Sequence, residues 1–401
     1  MKRWLVGSMM AGFAAVTVFA APQAAWVPAS SDVVLAGNVT PDEDYKAAQA
    51  AWSKVCDTAG FPIATLNKDL LEEATQQEPE ILQVVQTIFG ANAEFTEWTA
   101  TSYSLALKLP VDDLEAKMPD FRLSLVVENP ALDIGVLDSA VQALFAAKPD
   151  WSAKMSWQDD WRVFEEADEE GDKEDDGFMA YRAIPEGVQF VVTKNRETAM
   201  SWLAEAPIDA TSLLMAAIEG TTKSGQSVLV VKDVAELLTR YVKGEALEDV
   251  KIEAGWLLDL HAVTLNTMVS KTFSSRMHLA VGSQESIAQI RQLLEMYRLM
   301  AAHMVVPKLI QKPDSAISKF LAERVAIATE KDGVTISLDL MPEDAVAILK
   351  ELKEFQEKME AARGAYVGTI DQLEADEVED DDDDKEMSQE EARRILDELD
   401  D

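Results

Sequence analysis

Two stretches of this chain share one pattern of apolar and polar positions and align without a gap. They are Val188–Leu203 and Val334–Leu349, and each directly follows an acidic residue and a glycine, Gly187 or Gly333. Each begins with period-two alternation, which predicts a half-buried strand, and continues with a 3.6-residue period, which predicts a helix. Seven apolar positions coincide in this alignment. In the first stretch they are Val188, Phe190, Val192, Ala199, Met200, Trp202 and Leu203, which align in that order with Val334, Ile336, Leu338, Ala345, Val346, Ile348 and Leu349 of the second. The match predicts an internal duplication.

The pattern on either side extends this match to two modules of one kind. Each reads strand, helix, strand, strand, helix, hairpin, helix, and we expect an α+β fold of mainly antiparallel sheets covered by helices. The first repeat spans 21–206, a linker spans 207–226, and the second repeat spans 227–362. The earlier strands are matched by placing Leu279 and Val281 on Leu125 and Val127. This alignment leaves extra residues in the first copy, and we expect an acidic insertion at 159–176 to form a loop there.

Capping and turn residues predict where several elements begin and end. Thr40, Pro41 and Glu43 combine a hydroxyl N-cap, proline at the first helical position and glutamate at N3, and Gly60 ends that helix. A helix is expected from Gln284 to about Met304. The apolar face of that helix is predicted to comprise Ile287, Ile290, Leu294, Tyr297 and Met300/Ala301. Two strands, Phe320–Thr329 and Val334–Leu340, are predicted to form a hairpin around an Asp-Gly turn.

The N-terminus has the composition of a secretory signal peptide. Lys2 and Arg3 precede an apolar run, Trp4–Phe19, and Val18-Phe19-Ala20 offers small residues at the −3 and −1 positions of a cleavage site after Ala20. We expect cleavage of residues 1–20 and a periplasmic or secreted mature protein. An uncleaved anchor is the alternative, although the run is shorter than the roughly 20 residues that span a bilayer.

Charge is concentrated in two acidic runs. The formal net charge is −37, of which 159–176 contributes −9 and 371–386 contributes −10. Such runs are typical of solvated, disordered segments, and 363–387 is interpreted as an acidic disordered linker. A chain without a basic stripe is not expected to bind nucleic acid or anionic lipid. The first run partly matches a calcium-binding loop but has Ala183 at the last ligand position, so only weak cation association is expected. The residues for that association are Asp172, Glu174, Asp175 and Asp176.

Enzymatic signatures are weak in this sequence. His261, His278 and His303 lack a second ligand at metal-binding spacing, and Cys56 lies on the apolar side of a helical pattern, which favours a buried, inert thiol. We therefore predict no catalytic residues, no resident metal and no cofactor. A tryptophan cluster favours core packing, and the alternative is a rim of exposed indoles that binds sugar or peptide. Its members are Trp151, Trp157 and Trp161.

The last residues, 388–401, predict a short amphipathic helix. Ser388 and Glu391 form a capping box, and apolar residues follow at i, i+3, i+4 and i+7. These residues are Ala392, Ile395, Leu396 and Leu399. A helix behind an extended acidic linker is typical of a segment that docks on an envelope protein partner. Fraying, or packing on its own domain, is the other interpretation.

The chain resembles uncharacterised exported two-repeat proteins of bacteria with double-membrane envelopes. The resemblance rests on the leader, on Trp26-Val27-Pro28-Ala29 before a strand, and on two strand/helix copies that each end in a Val-rich hairpin and helix. It implies an α+β duplicated fold in the periplasm or outside the cell, and it implies no activity.

A non-enzymatic exported binding or scaffold protein is the leading functional hypothesis. We expect helices on one face of each sheet, and the other face to be free for a partner. One alternative is a carrier that holds an apolar ligand between sheet and helices, which the Met-rich stretch Met296–Met304 permits, although such helices more often form part of the core. A hydrolase or isomerase with scattered carboxylates is the other.

Overall fold

The structure is a computed structural model. It describes residues 27–60, 79–92, 97–110, 121–147, 153–166, 178–205, 224–242 and 254–358. The chain divides into two compact units, 1–350 and 351–401, and the described part of the second, 351–358, is helical. The leader, most of the 207–226 linker, the acidic linker and the 388–401 helix fall outside the described residues, so those predictions stay open.

The strands of the described residues form one antiparallel sheet. Its order is β11-β12-β10-β9-β8-β1-β2-β3-β7-β6-β5-β4. The strands are β1 Val33–Asn38, β2 Ser102–Lys108, β3 Arg122–Glu128, β4 Ala153–Gln158, β5 Trp161–Glu166, β6 Phe178–Ile184, β7 Gly187–Thr193, β8 Gln226–Lys232, β9 Leu260–Val269, β10 Phe273–Val281, β11 Val325–Glu330 and β12 Gly333–Leu340.

Helices connect these strands, and the predicted α+β class is confirmed. They are α1 Glu43–Ala59, α2 Pro79–Phe89, α3 Ile134–Ala147, α4 Arg196–Leu203, α5 Val234–Tyr241, α6 Gln284–Met300, α7 Val306–Ile310, α8 Ala316–Glu323 and α9 342–358. A 3₁₀ turn occupies Gly255–Asp259, and a π-helical turn, Ala301–Val305, joins α6 to α7.

The central pair of strands, β1 and β8, joins what the sequence separates into two modules. Their register places Leu35 opposite Leu229. Val34 and Val230 are almost fully buried and pack around Trp202, which is completely buried. An edge strand with two apolar faces would expose hydrophobic surface and unpaired backbone groups. Pairing β1 with β8 removes both edges and yields one sheet.

Outward from this pair, the strand order is the same on both sides. It is β1, β2, β3, β7, β6 on one side and β8, β9, β10, β12, β11 on the other, with β5 and β4 added to the first. Val127 lies level with Val188, and Leu279 lies level with Val334. If Val188 is placed on Val334, the ladders place Val127 on Leu279, two residues from the predicted placement of Leu279 on Leu125.

The two hairpin glycines occupy closely similar surroundings. A Cβ on Gly187 would lie 2.0 Å from the Val127 carbonyl oxygen, and one on Gly333 would lie 2.1 Å from that of Leu279. Such distances are far inside van der Waals contact, so only glycine allows the neighbouring strand to approach this closely.

Helices cover both faces of the first half of the sheet. On one face, α2 and α3 pack over Tyr103, Leu125 and Phe190. On the opposite face, Ala199 of α4 packs against Ala180 and its neighbours. The expectation that one face of each sheet is free for a partner was therefore wrong for this half. Side chains alternate between faces along a strand, and β6 and β7 present apolar residues in both directions.

The first part of the predicted acidic loop is a strand. Residues 159–160 form the turn between β4 and β5, while residues 167–176 lie outside the described residues. Trp161 and Val163 of β5 are buried against the sheet. The loop prediction was wrong here because alternate apolar side chains of β5 are buried, which stabilises a strand despite the flanking acids.

Two predicted element boundaries also change. Asp42, rather than Thr40, caps α1, and its carboxylate accepts the Tyr45 N–H at 2.7 Å. Gly60 ends α1 in the left-handed conformation, as predicted. The stretch expected to begin a strand at Phe320 is helical as far as Glu323 and is capped by Ser315. A hydroxyl N-cap stabilises this short helix locally.

Candidate binding surface

Helix α6 buries two apolar side chains in its N-terminal half and exposes large apolar side chains in its C-terminal half. Ile287 and Ile290 are buried and pack with Leu279 and Val334 of the sheet. The same predicted face should also bury Tyr297 and Met300, but these side chains are 54% and 39% exposed. That part of the prediction was wrong, because a periodic apolar stripe continues in α6 beyond the residues that contact the sheet.

A π-helical turn continues this exposed half. The Val306 N–H bonds the Ala301 carbonyl oxygen, five residues back. Pro307 follows at once, and in a regular α-helix its ring would clash with the carbonyl of His303. The wider turn accommodates the proline without ending the helix. The chain then leaves α7 through Gln311, whose φ of 58° is left-handed, and turns into α8.

Seven large apolar side chains along this segment are exposed to solvent. They are Met296, Tyr297, Leu299, Met300, Met304, Val305 and Leu309, which we call the apolar surface. Eleven exposed large hydrophobic residues occur in the described chain, and these seven fall within fourteen positions. With about 200 Å² for each fully exposed side chain, half exposure leaves roughly 700 Å² of apolar surface.

Basic side chains lie along the apolar surface. Between Met296 and Lys312 they are Arg298, His303, Lys308 and Lys312, while the acids Glu295 and Asp314 flank this range, in a chain whose net charge is −37. Arg298 is engaged within the fold, since its guanidinium donates to Glu295 and to the Ala322 carbonyl oxygen at 2.7 Å. His303 and Lys308 are exposed, and Lys308 places a positive charge on this segment.

An open depression of about 370 Å³ lies beside the N-terminal part of α6. Arg291, Glu295 and Glu330 line it together with Gln284. Its walls are largely charged or polar, and apolar ligands prefer mainly hydrophobic pockets. The depression therefore does not favour the carrier interpretation.

A polar network occupies the outer strands of the second half. His278 Nδ1 lies 3.0 Å from Thr335 Oγ1, and Nε2 lies 3.7 Å from Asp332. The Thr335 hydroxyl donates to Glu330 at 2.8 Å. That hydrogen bond is the main cause of the lowered pKa of Glu330, with Arg276 and His278 contributing. The network holds Glu330 ionised and ties β10 to the β11–β12 hairpin.

The three histidines lie on different elements, His261 on β9, His278 on β10 and His303 in the π-helical turn. Within the described ranges, no group of three or more His, Cys, Asp or Glu residues could hold a metal ion. Cys56 is half-buried rather than fully buried, and burial is the main cause of the raised pKa of its thiol.

The tryptophan cluster is divided between core and surface. Trp161 is buried, while Trp157 is 59% exposed and its ring lies 4.1 Å from the Arg162 guanidinium carbon. Arg162 is buried and pairs with Asp138 of α3 through Nε at 2.7 Å. Trp151 lies outside the described residues. Core packing is therefore the outcome for Trp161, and Trp157 covers a buried ion pair.

The site residues selected from sequence are not among those described. The acids proposed for weak cation association, Asp172, Glu174, Asp175 and Asp176, and the docking residues Ala392, Ile395, Leu396 and Leu399 fall outside the described ranges. The apolar surface was missed, although the Met-rich stretch Met296–Met304 was visible. Its signal was a helix that is apolar around most of its circumference beyond the sheet-facing stripe.

Comparison with known proteins adds little. No family model matches the chain, and no curated protein matches it. Crystal form III of TP0453, a Treponema protein, aligns with a TM-score of 0.39 and 11% identity over 82% of this chain and 98% of that chain. Crystal forms I and IV give TM-scores of 0.37 with 11% and 10% identity, over 83% and 82% of this chain and 98% and 97% of theirs. The resemblance is weak and indicates neither function nor ligand. Within the described ranges, no helix has the length and apolarity to cross a bilayer.

Proposed function

We propose that this chain is an exported, non-enzymatic binding or scaffold protein of the cell envelope, whose partner docks on the apolar surface. The observation that carries the proposal is the concentration of seven exposed large apolar side chains between Met296 and Leu309. Exposed apolar area is unfavourable in water at roughly 25 cal/mol per Å², so burial by a partner would be strongly favourable.

Export is supported by the composition of the N-terminus, where Lys2 and Arg3 precede the apolar run Trp4–Phe19. A single cysteine, Cys56, makes the fold independent of an intrachain disulfide. The fold can thus form before or after translocation without oxidation. Fractionation of cells that express the full chain tests this part. Recovery of the intact leader in the cytoplasm would contradict it.

We infer that the two halves arose by tandem duplication. The gapless match of Val188–Leu203 with Val334–Leu349 supports this, as does the shared strand order outward from β1 and β8. Among the described elements, the two halves depart from the common order at two points. One lies between the first two strands, where the first half has α1 and α2 and the second has α5 and a 3₁₀ turn, and the other lies between the helix after the third strand and the next shared strand. The first half contains β4 and β5 there, and the second contains α7 and α8. Three residues of the apolar surface, Met304, Val305 and Leu309, thus lie where the copies differ, and the other four lie at the adjoining end of α6. We expect a specific function where the copies differ.

A site-specific cross-linker tests partner docking. A photoreactive residue in place of Met304, which is 66% exposed, is compared with one in place of Val136, which is 53% exposed on α3. Both positions expose apolar side chains, so the comparison controls for nonspecific hydrophobic binding. We expect defined adducts in envelope extracts from position 304 only. Equal labelling from both positions, or none from position 304, would refute the proposal.

A further inference from the structure

The charges around the apolar surface point to the chemistry of its partner. Resting on the proposed function, we propose that the partner presents an acidic amphipathic helix to this surface. The apolar face of that helix contacts the exposed methionines and leucines, and its carboxylates face His303 and Lys308.

The length of the surface fits one helix of about four turns. The exposed side chains run from Met296 to Leu309, and fourteen helical residues extend about 21 Å. An amphipathic partner helix would place apolar residues at i, i+3, i+4 and i+7 along this length. Methionine is unbranched and adapts to irregular partners, which suits Met296, Met300 and Met304 to such a contact.

The local charge of the apolar surface favours an acidic partner over a second copy of the chain or a neutral bilayer. Within about 8 Å, the screening length at physiological salt, nearby charges outweigh the distant net charge. Arg298 is paired with Glu295, and Lys308 and Lys312 are the other cations of 296–312, so a carboxylate-bearing partner is attracted. A second copy docked through the same surface would place the Lys308 side chains of both copies together, and like charges disfavour that arrangement. A neutral bilayer would gain from the apolar contact alone and would show no requirement for acidic groups.

A peptide with the sequence of residues 388–401 is a suitable probe. It carries Ala392, Ile395, Leu396 and Leu399 on one helical face, with six acidic and two basic side chains. It is titrated against the full chain bearing Ile395→Asp and Leu396→Asp, so that the chain's own segment does not compete. One control peptide has the same composition in scrambled order. Another replaces every Asp and Glu by Asn and Gln, which retains the apolar face without its negative charge.

We expect the probe to bind, and both controls to bind roughly tenfold more weakly or not at all. Met304→Asp or Leu309→Asp should weaken binding at least roughly tenfold, whereas Val136→Asp should not. Lys308→Gln should weaken it roughly threefold, and the exposed turn variant Lys331→Gln should leave it unchanged.

Several outcomes would overturn the inference of an acidic helix, and they differ from the outcome that would contradict the proposed function. Equal binding of the amidated peptide means an apolar partner without acidic chemistry. Absence of probe binding up to about 1 mM, with cross-links from position 304 retained, means a partner of another kind. If the chain sediments with phosphatidylcholine vesicles, Met304→Asp abolishes this, and the probe does not bind, then the surface binds a lipid bilayer. Concentration-dependent self-association lost in the same variant identifies a second copy. Loss of position-304 cross-links as well contradicts the proposed function itself.

Discussion

The ion pair between Asp138 and Arg162 provides the most direct test of how the β4–β5 hairpin is held in the fold. The Asp138 carboxylate accepts from Arg162 Nε at 2.7 Å and Nη2 at 3.1 Å, and from the Tyr181 hydroxyl at 2.7 Å. The Arg162 side chain is 7% exposed and that of Asp138 is 17% exposed. Asp138→Ala would leave a buried guanidinium without its counterion.

Breaking a buried ion pair by removing one partner costs about 3–5 kcal/mol. The exposure of Asp138 and the contact of Arg162 with Trp157 place the expected loss near the lower end, at about 3 kcal/mol. That is a large part of the roughly 5–15 kcal/mol by which a domain is stable. A double variant, Asp138→Leu with Arg162→Met, should recover most of the loss, because it removes both charges and retains apolar volume.

Urea unfolding followed by circular dichroism measures this change as a shift in midpoint. Asp57→Ala is the control, since Asp57 is exposed in the last turn of α1, and its effect should stay within about 0.5 kcal/mol. A loss below about 1 kcal/mol for Asp138→Ala would refute the reasoning, because a buried charge cannot be left unpaired so cheaply. The hairpin would then not be anchored through α3.

Four further substitutions test the fold. Gly187→Ala and Gly333→Ala should each lower the free energy of unfolding by about 2–3 kcal/mol, since each Cβ would strike a backbone carbonyl oxygen; clearly unequal midpoints in urea would argue against equivalent positions. Asp42→Ala should cost about 1 kcal/mol in thermal unfolding through loss of the N-cap of α1, and no change would mean that Asp42 does not cap it. The depressed pKa of Glu330 contributes stability above the pKa of an unfolded glutamate, and this is lost as pH falls through the folded value. Thr335→Val removes the main cause, so its stability deficit should be present at neutral pH and shrink in acid, and a pH-independent deficit would contradict this origin.

Local signals predicted local structure well. The sequence alone indicated the left-handed cap at Gly60, the turn before Gly333 and the buried face of α6 at Ile287 and Ile290, and the structure contains all of them. Each depends on the conformational preference of a few adjacent residues or on a short periodicity. The assignment of Thr40 as the α1 cap failed because Asp42 offers a competing side-chain acceptor two residues later.

The apolar surface could be identified only from the tertiary structure. Periodicity placed Tyr297 and Met300 on the same stripe as Ile290, and it contains no information on where the sheet beneath that stripe ends. Pro307 was equally visible, but the π-helical turn that accommodates it depends on the continuation of the helix into α7. Exposure is a property of what lies opposite a side chain, and that partner is distant in sequence.

The sequence by itself determined the α+β class and the glycines at the two similar hairpins, because neighbouring residues set turns and periodicities. Only the tertiary structure decided that β1 and β8 pair, so that two sheets become one, since that ladder joins residues about 200 positions apart. It also decided that Arg162, within an acidic run, is buried beside Asp138. Long-range hydrogen bonds and ion pairs select among arrangements that local preferences leave equally favourable, and that selection placed the apolar surface in solvent.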